Sequence, residues 1–278
     1  MSKVVSRIIA LVLGMLLLAG PARAADTTIP KALSGIDIED RTGNAIPTDI
    51  VLRDQNGAEV SVGKYLRDGK PVVLMLAYFE CPMLCSLVLN GLLHGMQQMT
   101  SLTAGRDFRV LVVSFDQRDT VEKARDKRTS YLGAYGRPVE GDGWDFAIGA
   151  PGEVKRLADA VGFHYRWDEK TGQFAHAAGA FILTPEGKLS RTLYGIAFPG
   201  KDLGLALREA GNGKIGGIVD RVLLFCFHYD PLAGSYTLAA RRLMMVAGVI
   251  TVIGLTVLLL RLRRGERVRV ARTAGQST

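Results

Sequence analysis

The central part of this 278-residue sequence has no excess of basic charge, although the whole chain carries a formal net charge of +8. Residues 1–24 contribute three basic side chains, and residues 261–278 contribute six Arg and one Glu. Removing these two ends from the 35 basic and 27 acidic residues leaves 26 of each. A nucleic-acid-binding protein keeps its positive charge on the folded body, where it neutralises phosphates. The charge distribution therefore excludes nucleic acid as a partner.

Internal repeats and low-complexity stretches are missing as well. The composition, 48% hydrophobic and 22% charged, is not that of a disordered chain. The length is typical of one or two domains. Cysteine is scarce, with three residues at positions 81, 85 and 226, and the first two of them carry the chemistry considered below.

The N-terminal residues have the pattern of a secretory signal peptide. Two basic residues precede an apolar run from Ile8 to Ala19, and small residues stand at the −3 and −1 positions of a cleavage site after Ala24. A transmembrane helix needs about 20 apolar residues, so this run is short for the alternative, an uncleaved anchor. We expect residues 1–24 to be a cleaved signal peptide and residues 25–45 to form a flexible leader.

The C-terminal end has the pattern of a membrane anchor. Leu243 to Leu260 is a run of 18 residues without a charge, which is long enough to span a bilayer. Two Arg precede this run and six follow it, so the positive-inside rule puts the basic tail, residues 261–278, in the cytoplasm. We therefore expect a single-pass protein of the cell membrane, with its soluble body on the periplasmic side and residues 213–240 as a membrane-proximal segment.

The body is predicted to be an α/β domain. Continuous apolar runs indicate strands that are buried on both faces, alternating runs around Asn-Gly or Pro-Glu-Gly-Lys indicate hairpins, and apolar residues three or four apart indicate helices. Strands alternating with helices and closed by a hairpin indicate a mixed sheet with helices on its faces. Strands are predicted at residues 51–54, 59–62, 72–79, 109–115, 146–148, 180–184 and 189–194, and helices from Ser86, after a capping Asp119, and over residues 154–161.

Cys81 and Cys85 lie where a buried strand ends and a helix begins. The N-terminus of a helix offers unpaired N–H groups and partial positive charge, so it is expected to lower the pKa of these thiols. Their spacing puts both sulfur atoms on one face if the turn is helical. Two such thiolates could form a disulfide or bind a soft metal, Cu(I) or Zn, and an added His would also suit Cu(II). A structural disulfide is the alternative, but it would close a very short loop and contribute little stability.

Four segments of the sequence together resemble the Sco/SenC family. They are residues 69–74, residues 78–85 with the Cys-x-x-x-Cys element, residues 114–120 with Asp-x-Arg-Asp-Thr, and residues 174–178 around a His. Their order and spacing match the family from about residue 50 to residue 196. The resemblance implies a thioredoxin-like fold over residues 46–212, and a protein that delivers copper to the Cu-A centre of cytochrome c oxidase or reduces its thiols.

By this resemblance the metal ligands are Cys81, Cys85 and His176, and the bound ion is copper, as Cu(I) or Cu(II). The implied partners are the copper-bearing subunit of the oxidase, a periplasmic copper donor and a thiol reductant. His176 is expected in an exposed loop just before an apolar strand. Ala175 departs from the family, in which an Asp that could orient the imidazole usually precedes the His. The anchor also departs from the family, because better-known members carry theirs at the N-terminus.

The remaining candidate ligands receive weaker predictions. His94 is nine residues after Cys85 and therefore out of phase with it on a helix, and His164 has the spacing of the polar face of a strand. Cys226, His228 and Asp230 would point to one side of an extended segment. They could form a second metal or docking site, or a membrane-proximal packing strip with an odd thiol.

Three functions from different classes follow. The first is a membrane-tethered copper metallochaperone for cytochrome c oxidase assembly, which needs two thiols and His176. The second is an enzyme, a thiol–disulfide oxidoreductase acting on an oxidase subunit or another exported protein, which needs the thiols but not His176. The third is a noncatalytic membrane adaptor, which needs neither Cys81 nor Cys85. Of these, the sequence favours the metallochaperone.

Overall fold

The computed structural model describes residues 36–81 and 84–216, together with residues 229–230, 235–236, 248, 251–252 and 254–255. The helices are α1 (Leu84–Gln98), α2 (Val121–Tyr135), α3 (Pro151–Ala160) and α4 (Gly200–Gly211), with a 3-10 helix at Val62–Leu66. The strands are β1 (Val51–Asp54), β2 (Glu59–Ser61), β3 (Val72–Ala77), β4 (Arg109–Ser114), β5 (Trp144–Gly149), β6 (Tyr165–Asp168), β7 (Gln173–His176), β8 (Gly179–Leu183), β9 (Leu189–Tyr194), β10 (Tyr229–Asp230) and β11 (Ser235–Tyr236).

The main sheet has seven strands in the order β2-β1-β5-β4-β3-β8-β9. Strands β3, β4 and β5 run parallel, and the outer pairs are antiparallel. Every residue of β3 and β4 is buried, because helices and connecting segments cover both faces of a parallel sheet and select continuous Val and Leu runs. The predicted mixed sheet and both predicted hairpins are confirmed, and the domain has a thioredoxin-like α/β fold.

The parallel strands position the functional site. The carboxyl ends of β3 and β4 lie at one edge of the sheet, where Phe115 N–H donates to the carbonyl of Ala77 at 3.0 Å. The chain leaves β3 toward α1 and leaves β4 toward α2, so two connecting segments meet at this edge. A third part of the site comes from β6 and β7, which pair with each other in a separate two-stranded sheet.

Helix α1 is held closely against the segment that follows β9. A Cβ atom on Gly91 would lie 1.9 Å from the carbonyl oxygen of Ile196, and one on Gly95 would lie 2.0 Å from that of Phe198. Real Cβ atoms do not approach oxygen so closely, so both positions accept only glycine without a backbone shift. These contacts fix the helix that carries Cys85.

One predicted helix start is wrong. Asp119 is not the cap of α2: Thr120 is, and its hydroxyl accepts a hydrogen bond from the N–H of Lys123. Thr120 has the extended backbone of a cap residue, and a Thr hydroxyl reaches the third residue of the helix. The carboxylate of Asp119 points instead into the protein, where it has other partners.

The predicted membrane-related segments fall almost entirely outside the described residues. These are the signal peptide at 1–24 and the transmembrane run at 243–260, of which residues 248, 251–252 and 254–255 are described. No helix found within the described ranges has the length and hydrophobicity needed to cross a membrane. Cys226 and His228 also lie outside these ranges, whereas the backbone of Asp230 pairs with Ser235 in the β10–β11 hairpin.

Candidate metal centre

Cys81 and Cys85 lie together at the carboxyl end of β3. The backbone N–H of Cys85, in the first turn of α1, donates to the sulfur of Cys81 at 3.2 Å. The N–H of Tyr78 donates to the sulfur of Cys85 at 3.5 Å. Both cysteines are buried thiols, and Cys85 is the deeper of the two, at 2% exposure against 8% for Cys81. Backbone donors from both sides therefore fix the two sulfur positions.

His176 is the last residue of β7 and is buried, so its prediction as an exposed loop residue was wrong. It lies opposite Tyr165 in the β6–β7 pair. Its Nδ1 is 2.8 Å from the carbonyl oxygen of Ala177. A carbonyl oxygen only accepts, so Nδ1 carries the proton and Nε2 has a lone pair. This Nε2 is 3.2 Å from the sulfur of Cys85.

The structure brings the three predicted ligands together. One ligand atom from each of Cys81, Cys85 and His176 lies within 4.8 Å of the other two. Across the described ranges, this is the one cluster of three or more His, Cys, Asp or Glu side chains with such spacing. Soft thiolates select Cu(I), and imidazole suits copper in either oxidation state. The group could therefore bind a copper ion.

The backbone carbonyl of Ala177 accepts a hydrogen bond from the imidazole of His176, as a carboxylate does in many metal sites. A ligating His usually donates its second N–H to a carboxylate, a carbonyl or water, which fixes the tautomer and the ring orientation. Here Ala175 stands where the resembled family has an Asp, and the backbone supplies the acceptor instead. The imidazole is therefore oriented without an acidic neighbour.

Burial dominates the electrostatics of the site. It raises the pKa of the Cys85 thiol, which outweighs the opposing hydrogen bond from the Tyr78 N–H. The expectation of a lowered thiol pKa at the helix N-terminus was therefore wrong for Cys85, because desolvation disfavours the thiolate. Burial also lowers the pKa of His176 and keeps the imidazole neutral at pH 7. Metal binding would have to displace the Cys85 proton.

An aromatic cluster surrounds His176. The rings of Phe115, Phe163 and Tyr78 have centroids 5.3, 5.8 and 6.1 Å from the imidazole. Phe115 and Phe163 were not predicted as site residues, because Phe115 ends an apolar run and Phe163 alternates with polar residues, and both patterns are typical of a core strand. These rings exclude water and hold the imidazole against Cys85.

Asp119 joins the two connecting segments at the edge of the sheet. Its Oδ2 accepts from the backbone N–H of Phe79 at 2.7 Å and from the hydroxyl of Ser114 at 2.6 Å. Phe79 is the second residue after β3 and lies two residues before Cys81. The buried carboxylate thus holds the cysteine-bearing segment against the end of β4.

The other two histidines within the described ranges lie away from the cluster. His94 is exposed on α1, with its Nε2 2.9 Å from the side-chain nitrogen of Gln98. His164 precedes β6, and its Nδ1 is 2.5 Å from a carboxylate oxygen of Asp37. Neither belongs to the metal-binding group.

Comparison with known proteins identifies the family. The family model described as SCO1/SenC matches residues 39–201, whereas curated proteins gave no match. Two crystal structures of proteins from Aquifex aeolicus VF5 are similar to this chain, with 27% and 26% sequence identity and TM-scores of 0.54 and 0.51. Each match covers 62% of this chain, together with 95% of the first Aquifex chain and 99% of the second. The structure of Arabidopsis thaliana ScoI with copper bound is 20% identical with a TM-score of 0.47, covering 59% of this chain and 96% of its own. The chain belongs to the SCO1/SenC family.

Proposed function

We propose that this protein binds one copper ion and delivers it to the Cu-A centre of a cytochrome c oxidase during assembly of that enzyme. The observation that carries the proposal is the convergence of Cys81, Cys85 and His176, whose ligand atoms lie within 4.8 Å of one another although they come from separate elements. Membership of the SCO1/SenC family supports the same function.

Differences in burial among the ligands support a route for transfer. Cys81 and His176 are each 8% exposed, and Cys85 is 2% exposed. A partner's ligand therefore approaches from the side of Cys81 and His176, displaces one of them, and takes the copper as the remaining bonds break in turn. The copper keeps its oxidation state, so ligand exchange needs neither an oxidant nor a reductant.

We further propose that the protein works on the periplasmic face of the cell membrane. The signal-peptide pattern of residues 1–24, the uncharged run at 243–260 and the Arg-rich tail after it support export of the body and tethering by the C-terminal end. Tethering beside a membrane-bound oxidase would raise the effective concentration of the chain near its partner.

Thiol–disulfide exchange is the second candidate. The closeness of the Cys81 and Cys85 sulfur atoms favours it, because a pair of neighbouring thiols can reduce a partner disulfide. One thiolate would attack the partner disulfide, and the second would resolve the mixed disulfide. The partner then leaves as a dithiol, and Cys81 and Cys85 are left as a disulfide.

Replacing His176 with Ala separates the two functions. We expect His176→Ala to weaken copper binding by on the order of 100-fold or more, because one of three ligands is lost. Exchange with a model disulfide needs the two sulfur atoms and not the imidazole, so it should continue in this variant. The measurements are a competition titration with a copper chelator and the rate of disulfide exchange, both on the full chain in detergent.

His94→Ala is the matched control, since it removes an exposed imidazole outside the cluster. It should leave both copper affinity and exchange unchanged. Unaltered copper affinity in His176→Ala, with exchange intact, would contradict delivery from a three-ligand site and favour the oxidoreductase.

A further inference from the structure

The hairpin of β6 and β7 brings one ligand to a site whose other two ligands belong to the main body. These two strands pair with each other in a sheet of their own, and His176 is the last residue of β7. Cys81 and Cys85 follow β3 of the seven-stranded sheet. The 3.2 Å separation between Nε2 of His176 and the sulfur of Cys85 therefore depends on how the hairpin is held against the body.

Arg118 links these two parts from the connection between β4 and α2. Its guanidinium carbon lies 4.6 Å from the ring centroid of Trp167 and 6.0 Å from that of Phe174. Trp167 and Phe174 stand opposite each other in β6 and β7, with ring centroids 5.0 Å apart. A guanidinium over an aromatic face is attracted by the π electrons of the ring. Arg118 thus contacts both strands of the hairpin.

Asp116 fixes the orientation of this guanidinium. The Asp116 side chain is 4% exposed, and its two carboxylate oxygens accept from Nε of Arg118 at 2.9 Å and from Nη2 at 2.6 Å. The backbone N–H of Asp116 donates to the hydroxyl of Ser114, at the end of β4, at 3.1 Å. Such a forked pair suits the planar guanidinium and not a Lys ammonium. A carboxylate anchored to the main sheet therefore holds the guanidinium over the hairpin.

The contact is connected to the imidazole through Phe174. Alternate residues of a strand point to the same face, so Phe174 and His176 share one face of β7. The ring of Phe115, in the main body, is 5.3 Å from each of these two rings. Trp167 is 38% exposed and the Arg118 side chain 58% exposed. The contact therefore lies at the surface, where a substitution alters it without opening the core.

We infer that Arg118 is a positioning residue of the copper site. By stacking on Trp167 it holds the β6–β7 hairpin against the body, and so keeps His176 within reach of a copper ion bound by the two cysteines. The inference rests on the proposed copper-binding function. If the hairpin is docked for part of the time, the three-ligand site is complete in that fraction of molecules, and the apparent affinity falls by the same fraction.

Two variants of the full-length protein remove the contact from opposite sides. Arg118→Lys keeps a positive charge beside Asp116 but loses the planar group, and Trp167→Leu removes the ring but leaves the pair of Arg118 with Asp116. Each should weaken copper affinity about 5-fold in a chelator competition. The double variant should lose no more than either single variant, because both remove one shared contact. Arg156→Lys is the matched control, since Arg156 lies on α3 with two carboxylate partners of its own, and it should leave the affinity unchanged.

The His176→Ala background separates positioning from a general effect of charge or stability. Arg118→Lys should cause no further loss of copper affinity there, because the hairpin no longer supplies a ligand. Wild-type affinity in Arg118→Lys would overturn the role of Arg118. So would a loss in the His176→Ala background as large as the loss in the wild-type background.

Quenching of tryptophan fluorescence by acrylamide gives a readout without metal. The chain has two tryptophans, of which Trp144 is fully buried, so quenching of the metal-free protein reports on Trp167. Arg118→Lys should raise the quenching constant, because the guanidinium no longer covers the indole, and Arg156→Lys should not. A quenching constant equal to that of the wild type would overturn the contact. A wild type that binds no copper would overturn the proposed function instead, and quenching would then decide whether Arg118 holds the hairpin.

Discussion

Replacing both Cys81 and Cys85 with Ser is expected to reduce copper binding from one ion per chain to none. The substitution keeps the side-chain volumes close to those of Cys but exchanges two soft sulfur ligands for hard hydroxyl oxygens, which are poor ligands for Cu(I). His176 would then be the one donor left in the cluster. The measurement is copper content per chain after loading with Cu(I) under reducing conditions and removal of unbound metal.

The third cysteine provides the matched control. Cys226→Ser removes one thiol from the segment before the predicted anchor and leaves Cys81 and Cys85 unchanged, so it should retain one copper per chain. If the Cys81 and Cys85 double variant still bound one copper, the metal would have to lie elsewhere in the chain. Loss of copper in Cys226→Ser would implicate Cys226, with His228 and Asp230, in a second site.

Gly95→Ala is expected to lower the free energy of unfolding by about 3 kcal/mol or more, at the upper end of the range for overpacked sites. The added Cβ would lie 2.0 Å from the carbonyl oxygen of Phe198, so backbone must move on one side of the contact. Helix α1 carries Cys85 and packs against α4, so its displacement should also weaken copper binding. Chemical denaturation of the full chain measures the first effect, and chelator competition measures the second.

Gly133→Ala makes the same substitution in α2, where a Cβ would meet nothing within 4 Å. It should stabilise the protein by about 0.5–1 kcal/mol, because Ala loses less conformational freedom than Gly on forming a helix. Equal stability of Gly95→Ala and Gly133→Ala would contradict the close approach of α1 to the segment after β9.

Most of the central fold follows from local patterns. The apolar runs at 72–79 and 109–115 correspond to β3 and β4, whose residues are all buried, and the turns after residues 54 and 184 close hairpins. These elements are predictable because each depends on periodicity and turn chemistry within a few residues of itself. Cys81, Cys85 and His176 were also predicted from the sequence as the metal ligands, although His176 was included through the family resemblance.

Features that depend on distant residues were not predictable in the same way. Asp119 was expected to cap α2, because Asp is a good cap residue, but the N–H of Phe79 and the hydroxyl of Ser114 bind its carboxylate instead. His176 was expected in a loop, because the four residues of β7 are too few for a clear pattern. It is a strand residue through its pairing with Tyr165.

The direction of the pKa shift of the Cys85 thiol was also not predictable from local sequence. A cysteine at the start of a helix is expected to have a lowered pKa, and that local effect was the basis of the prediction. Cys85 is instead surrounded by packed side chains, and the cost of burying a thiolate is larger than the benefit of the hydrogen bond from the Tyr78 N–H. Burial depends on the whole fold, so the sign of this shift was not accessible from the Cys-x-x-x-Cys spacing.

X-ray absorption spectroscopy of the full-length protein loaded with one equivalent of Cu(I) tests the central claim most directly. The proposed site predicts a first coordination shell with two sulfur atoms from Cys81 and Cys85 and one imidazole nitrogen from His176. The nitrogen contribution should disappear in His176→Ala and persist in His94→Ala. A wild-type shell with sulfur alone, or one with oxygen and nitrogen but no sulfur, would contradict a copper site built from these three residues.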